Sequence, residues 1–153
     1  MNEPATLERG HGRVLLARVG NEQVAFPLDA LREVLDAPQV RALPLAPSAL
    51  AGHLTLRDLH LPVLRADVLL GIPPSPAQAG VALIFADGFA LLVDEADDLW
   101  ERDVATAVPV PAGSDRVGVL QAILHRNGVV AGLVDSSALI QRALASLREH
   151  LAQ

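Results

Sequence analysis

Phe26-Pro27-Leu28-Asp29-Ala30-Leu31-Arg32-Glu33-Val34-Leu35 returns 65 residues later as Leu91-Leu92-Val93-Asp94-Glu95-Ala96-Asp97-Asp98-Leu99-Trp100. Leu28 falls on Val93, Asp29 on Asp94 and Val34 on Leu99, and Ala42-Leu43-Pro44 is answered by Ala107-Val108-Pro109. Each copy then runs through an apolar hairpin, Leu54 to Leu64 and Leu120 to Val134, into a helical segment. An internal repeat sets the architecture before any single residue does. It predicts two similar subdomains packed together, with a groove between them.

The chain has 153 residues, enough for one domain or two small subdomains. A unit of half that length would bury only about 60% of its unfolded surface, so the two should share a core. Apolar residues make up 51% of the chain, but there are only three Phe, one Trp and no Tyr. The core must therefore be aliphatic. A net charge of −6, without a Lys/Arg cluster, argues against nucleic acid as a partner. The absence of cysteine excludes disulfides and thiolate metal sites. No apolar run approaches the roughly 20 residues of a membrane span, so no membrane insertion and a cytoplasmic location are expected.

Residues 1–12 are expected to form a flexible leader. Gly20-Asn21 and Asp87-Gly88 each break an apolar run, as hairpin turns do. Asp29 is expected to cap one helical turn, and Val40 to Leu45 to form a strand piece interrupted by Pro44 and Pro47. Leu54 and Leu56 alternate with His53, Thr55 and Arg57, predicting a hairpin that turns at Arg57-Asp58 with His60 on the wetter side. Ala66 to Leu70 should be a short helix stopped by Gly71. Pro73-Pro74-Ser75-Pro76 reads as a linker. The resulting layout is a first β-subdomain over 13–72, a linker over 73–79, a second β-subdomain over 80–134 and a C-terminal helix over 136–151, capped by Asp135 or Ser136. About ten strands are expected.

Few residues suggest chemistry. His53 and His60 lie on opposite arms of one hairpin and could face each other, but no third metal ligand is near in sequence. The acidic run from Asp94 to Asp103 lacks the glycine bend of a calcium loop and reads as a charged outer strand face. No serine sits in a nucleophile elbow, and no Gly-rich phosphate loop is present. The chain is read as non-enzymatic, with no catalytic residues, cofactor or metal. Glu33 and Arg57 stand out as charges in apolar surroundings, and are expected to meet across neighbouring strands. Trp100 and Leu99 are further contact candidates, because a lone Trp on a charged strand can anchor an interface, with core packing the favoured alternative for Trp100.

Several stretches in series resemble the CheW-like family of chemotaxis coupling proteins. They are Val24-Ala25-Phe26-Pro27-Leu28, Leu31-Arg32-Glu33-Val34, Leu43-Pro44-Leu45-Ala46-Pro47, Ala51-Gly52-His53-Leu54-Thr55-Leu56-Arg57 and Leu61-Pro62-Val63-Leu64. The resemblance runs from residue 13 to about residue 145. It implies a mainly β fold of two packed five-stranded SH3-like barrels with a C-terminal α-helix. It also implies a scaffold of two-component signalling that couples chemoreceptor cytoplasmic tips, taken up by the groove, to the regulatory domain of a CheA-type histidine kinase. The implied partner-binding residues are Glu33 and Arg57, as a charge pair, with Val34, Gly52, Leu54, Leu56 and Asp58. Two positions depart from the family pattern. Asp58 replaces a turn glycine and is expected to take its left-handed conformation, and Arg65 replaces an aspartate and alters the charge of the receptor-facing edge. A divergent scaffold of a pilus or other non-flagellar system is an alternative, as is a small-ligand module or enzyme using the inter-barrel groove.

Overall fold

The computed structural model describes residues 12–43, 48–73, 80–101, 105–115 and 117–152. The expected leader up to residue 11, the Pro44–Pro47 step and the linker beyond Pro73 lie outside these residues.

The turn residues place the hairpins where they should be. β1 (Arg13–Val19) and β2 (Glu22–Pro27) pair antiparallel across Gly20-Asn21. A 3-10 turn, Leu28–Ala30, leads into β3 (Leu31–Asp36). Asp29 does not cap that turn: Pro27 holds the cap position, and no side chain bonds to the freed amides. β4 (Leu50–Leu56) and β5 (Leu59–Arg65) follow, then helix α1 (Ala66–Leu70). Gly71 ends α1 in the left-handed conformation, φ 70°. β6 (Val81–Phe85) and β7 (Phe89–Val93) flank Asp87-Gly88, with Phe85 and Phe89 stacked at 4.7 Å across the turn. β8 (Glu95–Glu101), β9 (Thr106–Val108), β10 (Leu120–Arg126) and β11 (Val129–Val134) complete the strands. Helix α2 (Ser136–Ala152) closes the chain. Its cap is Asp135, whose Oδ1 accepts the Ala138 N–H at 3.2 Å. The described strands number eleven rather than about ten. The three-residue β9 is too short to leave a pattern of alternation.

Two sheets form, ordered β8-β1-β2-β11-β10-β9 and β3-β6-β7-β5-β4. The division of the chain at the proline-rich stretch does not separate them. β1 and β2 join the strands of the second half, and β6 and β7 join those of the first. The repeat itself survives: β1, β2, β3, β4, β5 and α1 correspond in order to β6, β7, β8, β10, β11 and α2. Each sheet takes the opening hairpin of one copy and the later strands of the other: β3, β4 and β5 in the five-stranded sheet, and β8, β9, β10 and β11 in the six-stranded one. The physical cause is strand direction. β5 runs parallel to β7 (Val63↔Ala90) and β11 parallel to β2 (Gly132↔Val24). Parallel neighbours need a crossover connection, which a hairpin within one copy cannot supply. A lone hairpin is also marginal in water. Exchange between copies answers both requirements.

Both sheets curl without a closing ladder, so they approach the expected barrels rather than complete them. Val14, Leu16, Ala25, Trp100, Leu124 and Leu133 fill the six-stranded curl. Leu54, Leu61, Val63, Ala82, Ile84 and Ala90 fill the five-stranded one. The largest cluster lies between the sheets, where Phe26, Leu28, Leu64, Phe85, Leu91 and Val134 meet Leu139 and Ala143 of α2. Each large side chain buried there contributes about 1.5–3 kcal/mol, which ties the two sheets into one body.

Candidate functional site

The Glu33–Arg57 corner is where charge, strain and an open edge coincide. β3 is an edge strand of the five-stranded sheet. Along it Leu31 is buried, Arg32 exposed, Glu33 half-buried and Val34 37% exposed. Arg57 sits on the two-residue turn between β4 and β5, at the opposite edge of the same sheet. Its Nη2 donates to Glu33 Oε1 at 2.6 Å. The expected pair therefore forms, but it spans the two edges of a curled sheet rather than neighbouring strands.

Arg57 holds this position at a cost. It adopts φ 49°, in the left-handed region. Asp58 does not, so the strain sits one residue before the position where the sequence places it. The equivalent turn of the second copy uses Asn127 (φ 51°) and Gly128 (φ 82°), residues suited to that conformation. Left-handed backbone at a long side chain costs about 1–2 kcal/mol, and an exposed ion pair returns at most about 1 kcal/mol. The corner is not explained by stability. Strained non-glycine residues concentrate at functional sites.

The other candidate residues divide by burial. Asp58 is exposed, and Leu56 is half-buried against the five-stranded interior. Leu54 is only 2% exposed and belongs to that interior, so it is not a contact surface. Gly52 is also buried, and its role is local geometry. A Cβ there would lie 2.0 Å from the carbonyl oxygen of Arg41, because the Arg41 segment pairs with His53 across it. Trp100 is 3% exposed within the six-stranded curl, with the Arg126 guanidinium 5.7 Å from its ring centroid. It is a core residue rather than a surface anchor. Leu99, its neighbour on edge strand β8, is 40% exposed.

Three charged residues have roles the sequence did not reveal. Asp94 is not on an outer face. Its Oδ2 accepts the Gly20 N–H at 2.9 Å and Arg18 Nη1 at 3.2 Å, fastening the β1–β2 turn to the end of β7. Arg65 is a paired charge rather than an isolated one. Nε and Nη2 donate to the two oxygens of buried Asp67 at 3.1 and 2.6 Å. That hydrogen bonding holds the Arg65 guanidinium above its ordinary pKa, against the opposing effect of partial burial. In sequence, Asp94 looked like one more acid in an acidic run. Arg65–Asp67 had a signal in its i, i+2 spacing, but strand-to-helix geometry had to bring the side chains together.

His53 and His60 do not face each other. His53 pairs with Pro62 and His60 with Thr55, whose Oγ1 lies 3.1 Å from His60 Nδ1. Among the described residues no group of three or more His, Cys, Asp or Glu could hold a metal ion. None of the described helices is long and apolar enough to cross a membrane.

Two exchanged, curled β-sheets with open edge strands and a charge-locked corner define a two-sheet β protein whose distinctive features are surfaces. Residues 13–144 match the model of the CheW-like domain, and the chain belongs to that family. The fold agrees with the crystal structure of the scaffolding protein TtCheW from Thermoanaerobacter tengcongensis, at a TM-score of 0.66 and 15% identity. That match covers 80% of this chain and 88% of the other. A comparison with curated proteins gives no match.

Proposed function

We propose that the chain is a chemotaxis adaptor that acts by binding, without catalysis, in the cytoplasm. It couples the cytoplasmic tips of chemoreceptors to the regulatory domain of a CheA-type histidine kinase. Family membership supports the scaffold role. The observation that carries the contact site is Arg57, held in a strained conformation by a 2.6 Å bond to Glu33 at the edge of the five-stranded sheet. Val34, Leu56 and Asp58 complete the proposed contact surface, and exposed Leu99 is its counterpart on the other sheet.

Asp58 favours a more specific reading. It adds an exposed negative charge beside Arg57, where the family pattern carries glycine, so the receptor tip it meets should present a basic residue there. A divergent chemosensory system, such as one that controls pili, fits that difference. The test is co-purification of the chain with a CheA regulatory domain and a receptor tip. Arg57→Ala should reduce capture of at least one partner while leaving the melting temperature within a few degrees. Undiminished capture of both partners would remove the corner from the contact surface.

A further inference from the structure

The repeat reaches an outcome in one copy that it does not reach in the other. At a spacing of 70 residues, Leu50, His53, His60 and Pro62 of β4–β5 correspond to Leu120, Ile123, Val130 and Gly132 of β10–β11. The first set lines a cavity of about 510 Å³ on the five-stranded sheet. The second lines one of about 320 Å³ on the six-stranded sheet. Each cavity is bordered by the helix that follows the opposite hairpin. α2 is 17 residues long and brings Leu147 onto the wall of the larger cavity. α1 brings Leu70, Gly71 and Ile72 to the smaller one and stops after five residues.

The stop is built into the chain. Gly71 turns left-handed, the N–H groups of Gly71 and Ile72 close onto the carbonyls of Val68 and Asp67, and Pro73 follows. Among the described residues no helix runs on beside β10–β11 as α2 runs on to Leu147 beside β4–β5. Val130 is left 50% exposed beside half-buried Ile123. Gln23 Oε1 is buried in the same wall without a hydrogen-bond donor. An orphaned acceptor costs about 1–3 kcal/mol, which a donor from outside would recover. The charged side chains lining the cavity, Glu22 and Asp115, are both acidic.

We infer that this cavity is the docking seat for an amphipathic helix of a separate protein. The helix would carry a leucine-like anchor for the Ile123–Val130 wall and a basic or amide side chain that donates to Gln23 and Glu22. The chain supplies a partial template, since α2 sets a helical leucine, Leu147, onto the equivalent wall of the other sheet. Apolar anchors at helical spacing set in an apolar groove are a general mode of peptide recognition. Neither Glu33 nor Arg57 borders this seat, and the inference stands apart from the adaptor reading.

The probe is a synthetic peptide with the sequence of residues 136–152, which carries Leu144 and Leu147 as anchors and Arg142 and Arg148 as basic groups. It is titrated into the full isotope-labelled chain and followed by amide NMR. Saturable shifts are expected at Gln23, Ile123, Val130 and Gly132. Val130→Glu, at a half-exposed position, should keep the fold and weaken the peptide about tenfold or more. His60→Glu, at the equivalent position of the other sheet, should leave it nearly unchanged, and a peptide with both arginines changed to glutamate should bind worse. Shifts confined to β4–β5, insensitivity to Val130→Glu, or no saturable binding would overturn the seat. Equal binding of the charge-reversed peptide would overturn the basic partner. A concentration-dependent dimer in light scattering that Val130→Glu abolishes would make a second copy the occupant, and would overturn the separate protein.

Discussion

Replacing Gly52 with alanine should destabilise the protein far more than adding one methyl group suggests. Gly52 has φ 153°, and a Cβ built on it would meet the Arg41 carbonyl oxygen at 2.0 Å, the Arg41 carbonyl carbon at 2.7 Å and Ala42 Cα at 3.1 Å. All three are backbone atoms, so no side chain can swing aside. The Arg41 segment must move, and with it go the reciprocal hydrogen bonds Arg41 N–H to His53 O at 2.8 Å and His53 N–H to Arg41 O at 2.9 Å. Two backbone bonds are worth about 1 kcal/mol each, and an unfavourable backbone conformation adds about 1–3 kcal/mol. The expected loss is about 3–5 kcal/mol, or a fall in melting temperature of roughly 10 °C for a chain of this size. Gly88→Ala is the control. Gly88 has φ 97° but nothing within 4 Å of its would-be Cβ, so only the conformational cost remains. Urea unfolding of both variants measures the difference. If Gly52→Ala were no worse than Gly88→Ala, the steric reasoning would fail. If it abolished partner capture at unchanged stability, Gly52 would be a contact residue after all.

Three further expectations follow from particular contacts. The single Trp100 should emit at short wavelength and resist iodide quenching in the native state, and Trp100→Ala should cost about 3–5 kcal/mol; red-shifted, readily quenched emission would place the ring on the surface. Arg57→Gly relieves a left-handed residue and removes one exposed ion pair, so stability should rise or stay within about 1 kcal/mol while partner capture falls; a large loss of stability would contradict this account of the turn. Arg65→Met strips the cation from buried Asp67 and should cost about 1–3 kcal/mol. Because Asp67 raises the Arg65 pKa, the arginine's side of the pair is fully charged through neutral pH and is lost only as pH climbs through the raised value. The difference between wild type and Arg65→Met should therefore stay flat from about pH 6 to pH 9, and a steep slope in that window would assign the contribution to another group.

What was legible in the sequence was local. Gly20-Asn21 and Asp87-Gly88 mark hairpins because few residues other than glycine accept those backbone angles, and Gly71 marks a helix end for the same reason. The Glu33–Arg57 pair was legible through its setting in apolar strands and through family resemblance. The burial of Leu54 was not. Alternation tells which residues share a face, but a curled sheet has two apolar faces, one inside the curl and one against its neighbour. Asp94 and Arg65 were misread for a related reason: their partners, Gly20 and Asp67, are set by how strand ends meet.

Turn chemistry and the spacing of apolar residues act within a dozen positions of each other, so the amino-acid order alone dictated a duplicated series of hairpins, each leading to a helix. Which hairpin would pair with which strands depended on parallel partners that each copy lacks within itself, and only the closed three-dimensional chain could assign them. By the same exchange Arg57 was carried to Glu33 across the mouth of one sheet, and among the described residues no helix runs on beside the matching wall of the other.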